Sequence, residues 1–137
     1  MTDVPATLVD SNVLLDVITG DEKWLDWSAA ALARAADTSR LVINPIVYAE
    51  VAARFERIED LEDALPGDCY ERRALPWEAA FHAGQCFVKY RRRGGSRRSP
   101  MPDFYIGAHA VIEGLTLLTR DAKRYRRYFP TLRIVAP

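Results

Sequence analysis

Short apolar runs alternate with longer stretches of helical periodicity, and this alternation constrains the fold more than any other feature of the sequence. The apolar runs predict strands at residues 6–9, 41–43, 115–118 and 132–135, with a brief strand at 74–75. Strands that alternate with helices indicate a parallel sheet covered by helices on both faces. The sequence therefore predicts an α/β fold.

The intervening stretches carry recognisable helix boundaries. Asp10-Ser11-Asn12 is a good capping sequence, Pro45 suits a first helical turn, and Gly114 is typical of a helix end. The segment 94–100 is predicted as a loop from its composition. Helices are predicted at 13–18, 22–36, 45 to about 57, 58–65, 76 to about 90 and 104–112, with a short helix opened by Asp121.

Size and composition are those of one soluble globular domain spanning 1–137. Hydrophobic residues make up 49% of the 137 positions and charged residues 28%. No apolar run approaches the roughly 18 residues that cross a bilayer, so no membrane partner is expected. The opening sequence MTDVPATLVD has neither a basic start nor an apolar signal segment, which predicts a cytoplasmic protein. The two cysteines cannot form a disulfide framework, and Cys86 is interpreted as a core residue.

The net charge of zero conceals a strong asymmetry between the two halves. Residues 1–68 hold 14 acids and 5 bases, whereas residues 69–137 hold 5 acids and 14 bases. The bases concentrate at 89–98 and 120–127, where tyrosines are interleaved with them. Such clusters suit a polyanion, although solvated helix faces explain either cluster equally well by itself. The predicted RNA-binding residues are Arg91, Arg92, Arg93, Arg97, Arg98, Arg120, Lys123 and Arg124.

Four acids are predicted to converge at one edge of the sheet. Asp10 directly follows the first strand and Asp121 lies just past the strand at 115–118. Asp103 falls in the first turn of the helix opened by Pro102, and Glu50 one to two turns into the helix that begins near Pro45. Ligands of parallel sheets bind in the crevice beyond the carboxyl ends of the strands.

Each acid also has an ordinary structural explanation. Asp10 and Asp121 could cap helices, Asp103 could complement a helix dipole, and Glu50 could pair with Arg54. However, Glu50 and Asp103 have apolar sequence neighbours, where a carboxylate is costly without a positive partner. Four converging carboxylates would take up protons unless a divalent cation compensated them. Oxygen ligands without a His or Cys cluster predict a hard ion, Mg²⁺ or Mn²⁺. His82 and His109 stand alone in apolar helices and are interpreted as core or edge residues rather than ligands.

Four segments, in order, resemble the PIN-domain nucleases, and most closely the VapC toxins of bacterial toxin–antitoxin pairs. They are LVDSNVLLDVI at 8–18, INPIVYAEV at 43–51, PMPDFYIGAHAV at 100–111 and LLTRDAKRYRRYF at 117–129. The resemblance implies a three-layer α/β/α sandwich with a central parallel sheet. It also implies that Asp10, Glu50, Asp103 and Asp121 are the catalytic, metal-binding acids. Asn12 and Thr119 match polar positions that support the acids or a bound water.

The resemblance further implies an Mg²⁺-dependent endoribonuclease that cleaves RNA, with tRNA or rRNA as the expected substrate. Its chemistry would be attack on the phosphodiester by a water that the metal activates. A cognate VapB-like antitoxin and a homodimer are the expected partners. Ser11 stands where Thr is more common in the family, and the arginine-rich loop before Asp103 is unusually long and basic.

Two other classes of protein are alternatives to the nuclease interpretation. A phosphorylated receiver domain shares the length and the acidic edge, but Thr119-Arg120-Asp121 offers no lysine after the later strand. A non-catalytic PIN-like module that binds protein or RNA stays open. Trp24 and Trp27 could line an aromatic groove for the antitoxin, although a core position is favoured for one or both rings.

Overall fold

The computed structural model describes residues 5–95 and 100–137, and this part of the chain contains a five-stranded sheet. Its strands are β1 Ala6–Val9, β2 Arg40–Ile43, β3 Glu71–Arg72, β4 Thr116–Leu118 and β5 Ile134–Val135. They lie in the order β3-β2-β1-β4-β5, and every neighbouring pair is parallel. The predicted parallel α/β architecture is confirmed.

Helices connect every pair of successive strands. α1 Ser11–Thr19 and α2 Leu25–Thr38 lead from β1 to β2, and α3 Pro45–Ala52 and α4 Ile58–Ala64 from β2 to β3. α5 Trp77–Arg92 and α6 Met101–Glu113 lead to β4, and α7 Lys123–Tyr128 leads to β5. The helices pack on one another in the pairs α1 with α2 and α5 with α6, and they flank the sheet as in an α/β/α sandwich.

The core is centred on the three middle strands. Leu8, Val9, Val42, Leu117 and Leu118 are completely buried. Such continuous apolar strands are typical of a parallel sheet covered on both faces. Cys86 and His109 are buried as predicted. Over residues 5–95 and 100–137, no helix has the length and apolar character needed to cross a membrane.

The third strand lies earlier in the chain than predicted. Glu71 and Arg72 pair with Val42 and Ile43, whereas the predicted strand at 74–75 is irregular chain. The strand was missed because it is a charged edge strand, in which Glu71 pairs with Arg40 and Arg73 across its rim. Charged residues are common at exposed sheet edges and weaken the apolar signal of a strand.

Local hydrogen bonds explain several shifted helix boundaries. α2 begins at Leu25 rather than 22, because the Asp21 carboxylate accepts the backbone N–H groups of Lys23 and Trp24 in a turn. α3 ends at Ala52 rather than near 57, because tight turns follow in which Arg54 N–H donates to the Val51 carbonyl. α7 begins two residues after Asp121.

The strand order places a topological switch point between β1 and β4. From β1 the chain first builds outward through β2 and β3, and then crosses to β4 and β5 on the other side. Ligand crevices of parallel α/β folds lie at this point, beyond the carboxyl ends of the strands. A ligand site is therefore expected among the residues that follow Val9 and Leu118.

Candidate active site

Asp10 and Thr119 lie side by side at the carboxyl ends of β1 and β4. Val9 is in register with Leu118, and the Asp10 backbone N–H donates to the Leu118 carbonyl at 2.9 Å. The Thr119 hydroxyl donates to Oδ2 of Asp10 at 2.8 Å. Parallel pairing thus joins two side chains that are 109 positions apart in sequence.

Asp10 is the most deeply buried acid of the site, with 4% of its surface exposed. Its Oδ1 accepts the Ser11 N–H at 2.8 Å, and its Oδ2 also accepts the Tyr125 hydroxyl at 3.0 Å. Burial raises the pKa of Asp10 from 3.8 to about 6, and the negative charges of Asp103 and Glu50 add to the rise. The hydrogen bonds from Thr119 and Tyr125 oppose it. Asp10 caps α1, as its ordinary structural explanation predicted, and its role as a catalytic acid stays a prediction.

Glu50 reaches the same pocket from α3. Its Oε1 accepts the Ser11 hydroxyl at 2.9 Å. Burial raises the pKa of Glu50, and the charge of Asp103 raises it further. No ion pair with Arg54 occurs among the ion pairs of residues 5–95 and 100–137, so the alternative explanation for Glu50 is not supported.

Asp103 faces α7 from the first turn of α6. Arg124 Nη1 donates to Asp103 Oδ2 at 2.7 Å, and the Tyr125 hydroxyl lies 3.4 Å from Asp103 Oδ1. The Tyr125 oxygen is thus within 3.4 Å of carboxylate oxygens of both Asp10 and Asp103. Burial and these two negative charges hold the pKa of Tyr125 well above its usual 10, so its hydroxyl remains a donor.

All four predicted acids line one open pocket of about 500 Å³. Asp121 is exposed at the rim, and its backbone N–H donates to the Thr119 hydroxyl at 3.2 Å. Ser11 and Asn12 add neutral polar groups beside these acids, and the rest of the lining is basic and aromatic. The lining residues are Asp10, Ser11, Asn12, Glu50, Tyr90, Asp103, Asp121, Lys123, Arg124, Tyr125, Arg127 and Tyr128.

The two predicted supporting residues hold the floor of the pocket together. Asn12 Nδ2 lies 3.3 Å from the Thr119 hydroxyl and 3.5 Å from Asp10 Oδ2. Its Oδ1 accepts the Arg120 backbone N–H at 3.1 Å. Asn12 therefore ties the start of α1 to the chain that leaves β4.

The Arg120 side chain points away from the pocket lining. Its Nε and Nη2 donate to the two carboxylate oxygens of Asp16, at 2.8 and 3.1 Å, and Asp16 is only 3% exposed. Ser28 donates to the same carboxylate at 2.7 Å. This pair fastens the loop after β4 to α1 and α2, so Arg120 has a structural role that the RNA-binding prediction did not include.

The other predicted basic residues divide into three groups. Lys123 and Arg124 line the pocket. Arg91, Arg92 and Arg93 are exposed at the end of α5, and the Arg93 guanidinium lies 5.5 Å from the ring centre of Tyr128, which lines the pocket. Arg97 and Arg98 lie outside the described residues.

Sequence reasoning missed Tyr125, the hydroxyl of Ser11 and the pocket position of Arg127. A detectable signal existed for Tyr125, since it stands four positions after Asp121 near a predicted short helix, where the two can share a face. Trp27 packs against the core, whereas Trp24 is half-buried with the Arg120 guanidinium 5.4 Å from its ring centre. Both rings are half-buried, so the core interpretation of the tryptophans stays a prediction.

The chemistry of the donor set fits a hard divalent cation. Two of the acids have a raised pKa, and Arg124, a cation, already pairs with a third. In the described part of the chain, no three His, Cys, Asp or Glu side chains form a ready metal-binding cluster. Three of the acids instead have internal partners: Asp10 accepts the Thr119 hydroxyl, Glu50 the Ser11 hydroxyl, and Asp103 the Arg124 guanidinium.

An α/β/α domain with an acidic pocket at the switch point of a parallel sheet is the class that the fold and this site define. A family model described as the PIN domain matches residues 7–130, and the chain belongs to this family. PIN domains are in general nucleases and typically use divalent metals. The family resemblance found in the sequence is thereby confirmed.

Solved structures agree on the fold. The chain is similar to one in a structure of VapBC2 from Rickettsia felis bound to a promoter DNA fragment, with a TM-score of 0.72, 21% identity and coverage of 96% of this chain and 98% of that chain. It is also similar to one in DNA-bound VapBC from Salmonella typhimurium, with a TM-score of 0.69, 22% identity and coverage of 96% and 98%. FitAcB from Neisseria gonorrhoeae gives 0.69 at 16% identity, with coverage of 93% and 95%. The comparison with curated proteins gave no match.

Proposed function

We propose that the protein is a metal-dependent endoribonuclease and the toxin of a VapBC-type toxin–antitoxin pair. The observation that carries the proposal is the meeting of Asp10 and Asp103 at one hydroxyl group, that of Tyr125. Glu50 and Asp121 line the same pocket. Acids from four separate segments thus surround one solvent-open space at the ligand-binding edge of the sheet.

Asp10, Glu50, Asp103 and Asp121 would hold Mg²⁺, with Mn²⁺ as a substitute. When bound, the cation supplies Lewis-acid chemistry by lowering the pKa of a water molecule and neutralising charge that develops on the phosphate. Thr119 and Tyr125 orient the Asp10 carboxylate by donating to its Oδ2. Asn12 keeps Thr119 in place through the 3.3 Å contact with its hydroxyl.

The rim of the pocket suits a nucleic-acid backbone. Lys123, Arg124 and Arg127 place positive charge beside the acids, which by themselves would repel a phosphate. Tyr90 and Tyr128 offer rings on which an unpaired base could stack. We therefore propose single-stranded or looped RNA, in tRNA or rRNA, as the substrate.

The exposed arginines Arg91, Arg92 and Arg93, at the end of α5, are proposed as a further contact to the RNA. Charge reversal of Arg91, Arg92 and Arg93 should weaken RNA binding and flatten its salt dependence, because fewer counterions are released from the RNA. An unchanged salt slope would remove these arginines from the RNA-binding surface.

Cleavage of a pool of total tRNA and rRNA, with the cut ends mapped, tests activity and substrate together. Cleavage should require Mg²⁺ or Mn²⁺, stop with EDTA, and be abolished in Asp103→Asn with the fold retained. Asp68→Asn, a change to an exposed acid outside the pocket, is the matched control. Cleavage that persists in EDTA or in purified Asp103→Asn would contradict the proposal.

We propose a VapB-like antitoxin as a partner and the cytoplasm as the compartment where the RNA is cut. The support is that similar structures are described as VapBC complexes. The half-buried Trp24 and Trp27 rings, 6.4 Å apart edge to face, are the proposed contact surface. Co-expression with the product of a neighbouring small open reading frame should suppress RNA cleavage. If Trp24→Ala binds the antitoxin as tightly as wild type does, the contact surface lies elsewhere.

A homodimer is proposed through the exposed face of α5. Trp77 is 91% exposed and Phe81, one turn later, 71%. Large exposed apolar side chains in one stripe are typical of an interaction surface. Changing Trp77 and Phe81 to Ser should convert a dimer to a monomer in light scattering, whereas Ile58→Ser, at another exposed apolar residue, should not. A wild-type monomer would overturn this part of the proposal.

A PIN-like module that binds RNA or protein without cleaving it is the second candidate. One observation favours it: among the described residues, the carboxylates of Asp10, Glu50 and Asp103 are engaged by internal partners rather than arranged as a ready metal cluster. Calorimetric titration with Mn²⁺ separates the two functions. Binding that Asp103→Asn removes supports the nuclease, and a wild-type protein that binds RNA but no Mn²⁺ supports the module.

A further inference from the structure

Arg124 differs from the other basic residues of the pocket in its relation to the acids. Its Nη1 donates to Asp103 Oδ2 at 2.7 Å. Lys123 and Arg127 lie on the same helix and line the same pocket, but neither takes part in an ion pair among the described residues. Arg124 is therefore the basic residue of this helix that is paired to a proposed metal ligand.

We propose that Arg124 is an internal counter-ion of the acidic pocket, which a divalent cation must displace from Asp103 in order to bind. The inference rests on the proposed function, because it takes Asp103 to be a metal ligand. It gives Arg124 a role in metal binding, which the presence of the four acids does not by itself imply.

Displacement follows from what already holds the carboxylate of Asp103. Both oxygens face α7, Oδ2 toward the guanidinium of Arg124 and Oδ1 toward the Tyr125 hydroxyl. A divalent cation and a guanidinium on the same carboxylate repel each other, and they compete for its lone pairs.

The exchange is feasible because the ion pair is partly open to water. The Arg124 side chain is 43% exposed and that of Asp103 32%. Such pairs contribute little stability, so displacing Arg124 costs an incoming ion little free energy. Once displaced, the guanidinium stays at the rim beside Lys123 and Arg127 and is free for a phosphate of the RNA. Filling the pocket with metal thereby adds one cation to the proposed RNA-binding rim.

The experiment is calorimetric titration of the full chain with Mn²⁺, without RNA, in wild type, Arg124→Gln and Arg127→Gln. About 0.3 M salt screens the general effect of losing one exposed charge. We expect Arg124→Gln to bind Mn²⁺ about fivefold more tightly than wild type, as loss of a partly exposed ion pair implies. Arg127→Gln should stay within about twofold of wild type. Circular dichroism verifies that both surface variants are folded.

Two results would overturn the inference while leaving the nuclease proposal intact. One is equal or weaker Mn²⁺ binding in Arg124→Gln, and the other is an equal gain in both variants, which would reduce the effect to general electrostatics. Failure of the proposed function has a different signature. In that case neither wild type nor any variant binds Mn²⁺, and any RNA cleavage is insensitive to EDTA.

Discussion

Asp10→Asn should stabilise the metal-free protein at neutral pH while it abolishes cleavage. The wild-type carboxylate is 4% exposed and sits near two other acids, so its negative charge is unfavourable in the folded state. The amide resembles the protonated acid, and its NH₂ group can donate to the Thr119 or Tyr125 hydroxyl after these rotate. A charged carboxylate that lowers stability at this position is expected if the residue is retained for function.

The magnitude follows from the pKa of Asp10, which folding raises from 3.8 to about 6. A difference of about 2 pH units corresponds to about 3 kcal/mol. Between these pH values the folded state binds the proton and the unfolded state has lost it, so stability falls as the pH rises. The loss begins near pH 4 and is complete above about pH 6. Asp10→Asn and wild type should therefore differ in free energy of unfolding, in favour of the variant, and this difference should be about 3 kcal/mol larger at pH 7 than at pH 4.

The assay is urea unfolding of metal-stripped wild type and variant at pH 4, 5, 6 and 7, followed by tryptophan fluorescence. Asp121→Asn, at the exposed rim of the same pocket, controls for the loss of one negative charge. Saturating Mn²⁺ should restore the stability of the wild type at pH 7, because an ion that binds only the folded state raises the free energy of unfolding. A difference between wild type and Asp10→Asn that does not change with pH would refute this reasoning.

Three further predictions concern packing and positioning. Gly107→Ala should destabilise the fold by about 1–3 kcal/mol in urea unfolding, because a Cβ there would clash with the ring of Phe129. Gly84→Ala faces open space and should be neutral or stabilising by up to about 1 kcal/mol. Equal effects of the two changes would contradict the packing argument. Arg120→Ala should destabilise the fold by about 2 kcal/mol because it leaves the buried Asp16 carboxylate with the Ser28 hydroxyl but no cation, and Arg126→Ala, an exposed control, should not. A fully stable Arg120→Ala that binds RNA poorly would instead assign this arginine to substrate binding. Tyr125→Phe should lower kcat about tenfold with RNA affinity unchanged, since it deletes the hydrogen bond that the hydroxyl donates to Asp10. An unaltered kcat would show that the hydroxyl has no role in catalysis.

The central part of the fold could be predicted from sequence because its signals are local. The apolar runs before Asp10 and Thr119 are strands, and parallel pairing then places the residues after them at one edge. Asp103 and Glu50 could be placed on helices that begin after Pro100 and Asn44. Whether those helices aim their acids into the same pocket depends on tertiary packing, which spacing alone does not determine.

The missed features all depend on contacts between distant segments. Tyr125 belongs to the site because α7 packs on α6, which brings its hydroxyl to two acids. Arg120 looked like one more base in a basic stretch, but a buried carboxylate on α1 binds its guanidinium. The edge strand at Glu71 lacks an apolar pattern because charges occupy its rim. In each case the role of the residue depends on a contact with another segment of the chain.

The most direct measurement is the anomalous scattering of a crystal of the wild-type protein soaked in Mn²⁺. A single pocket of carboxylates that binds a hard cation predicts a strong peak among Asp10, Glu50 and Asp103, with Arg124 withdrawn from its ion pair. A well-ordered pocket without a peak at saturating Mn²⁺, or a peak only at a surface site elsewhere, would contradict the account.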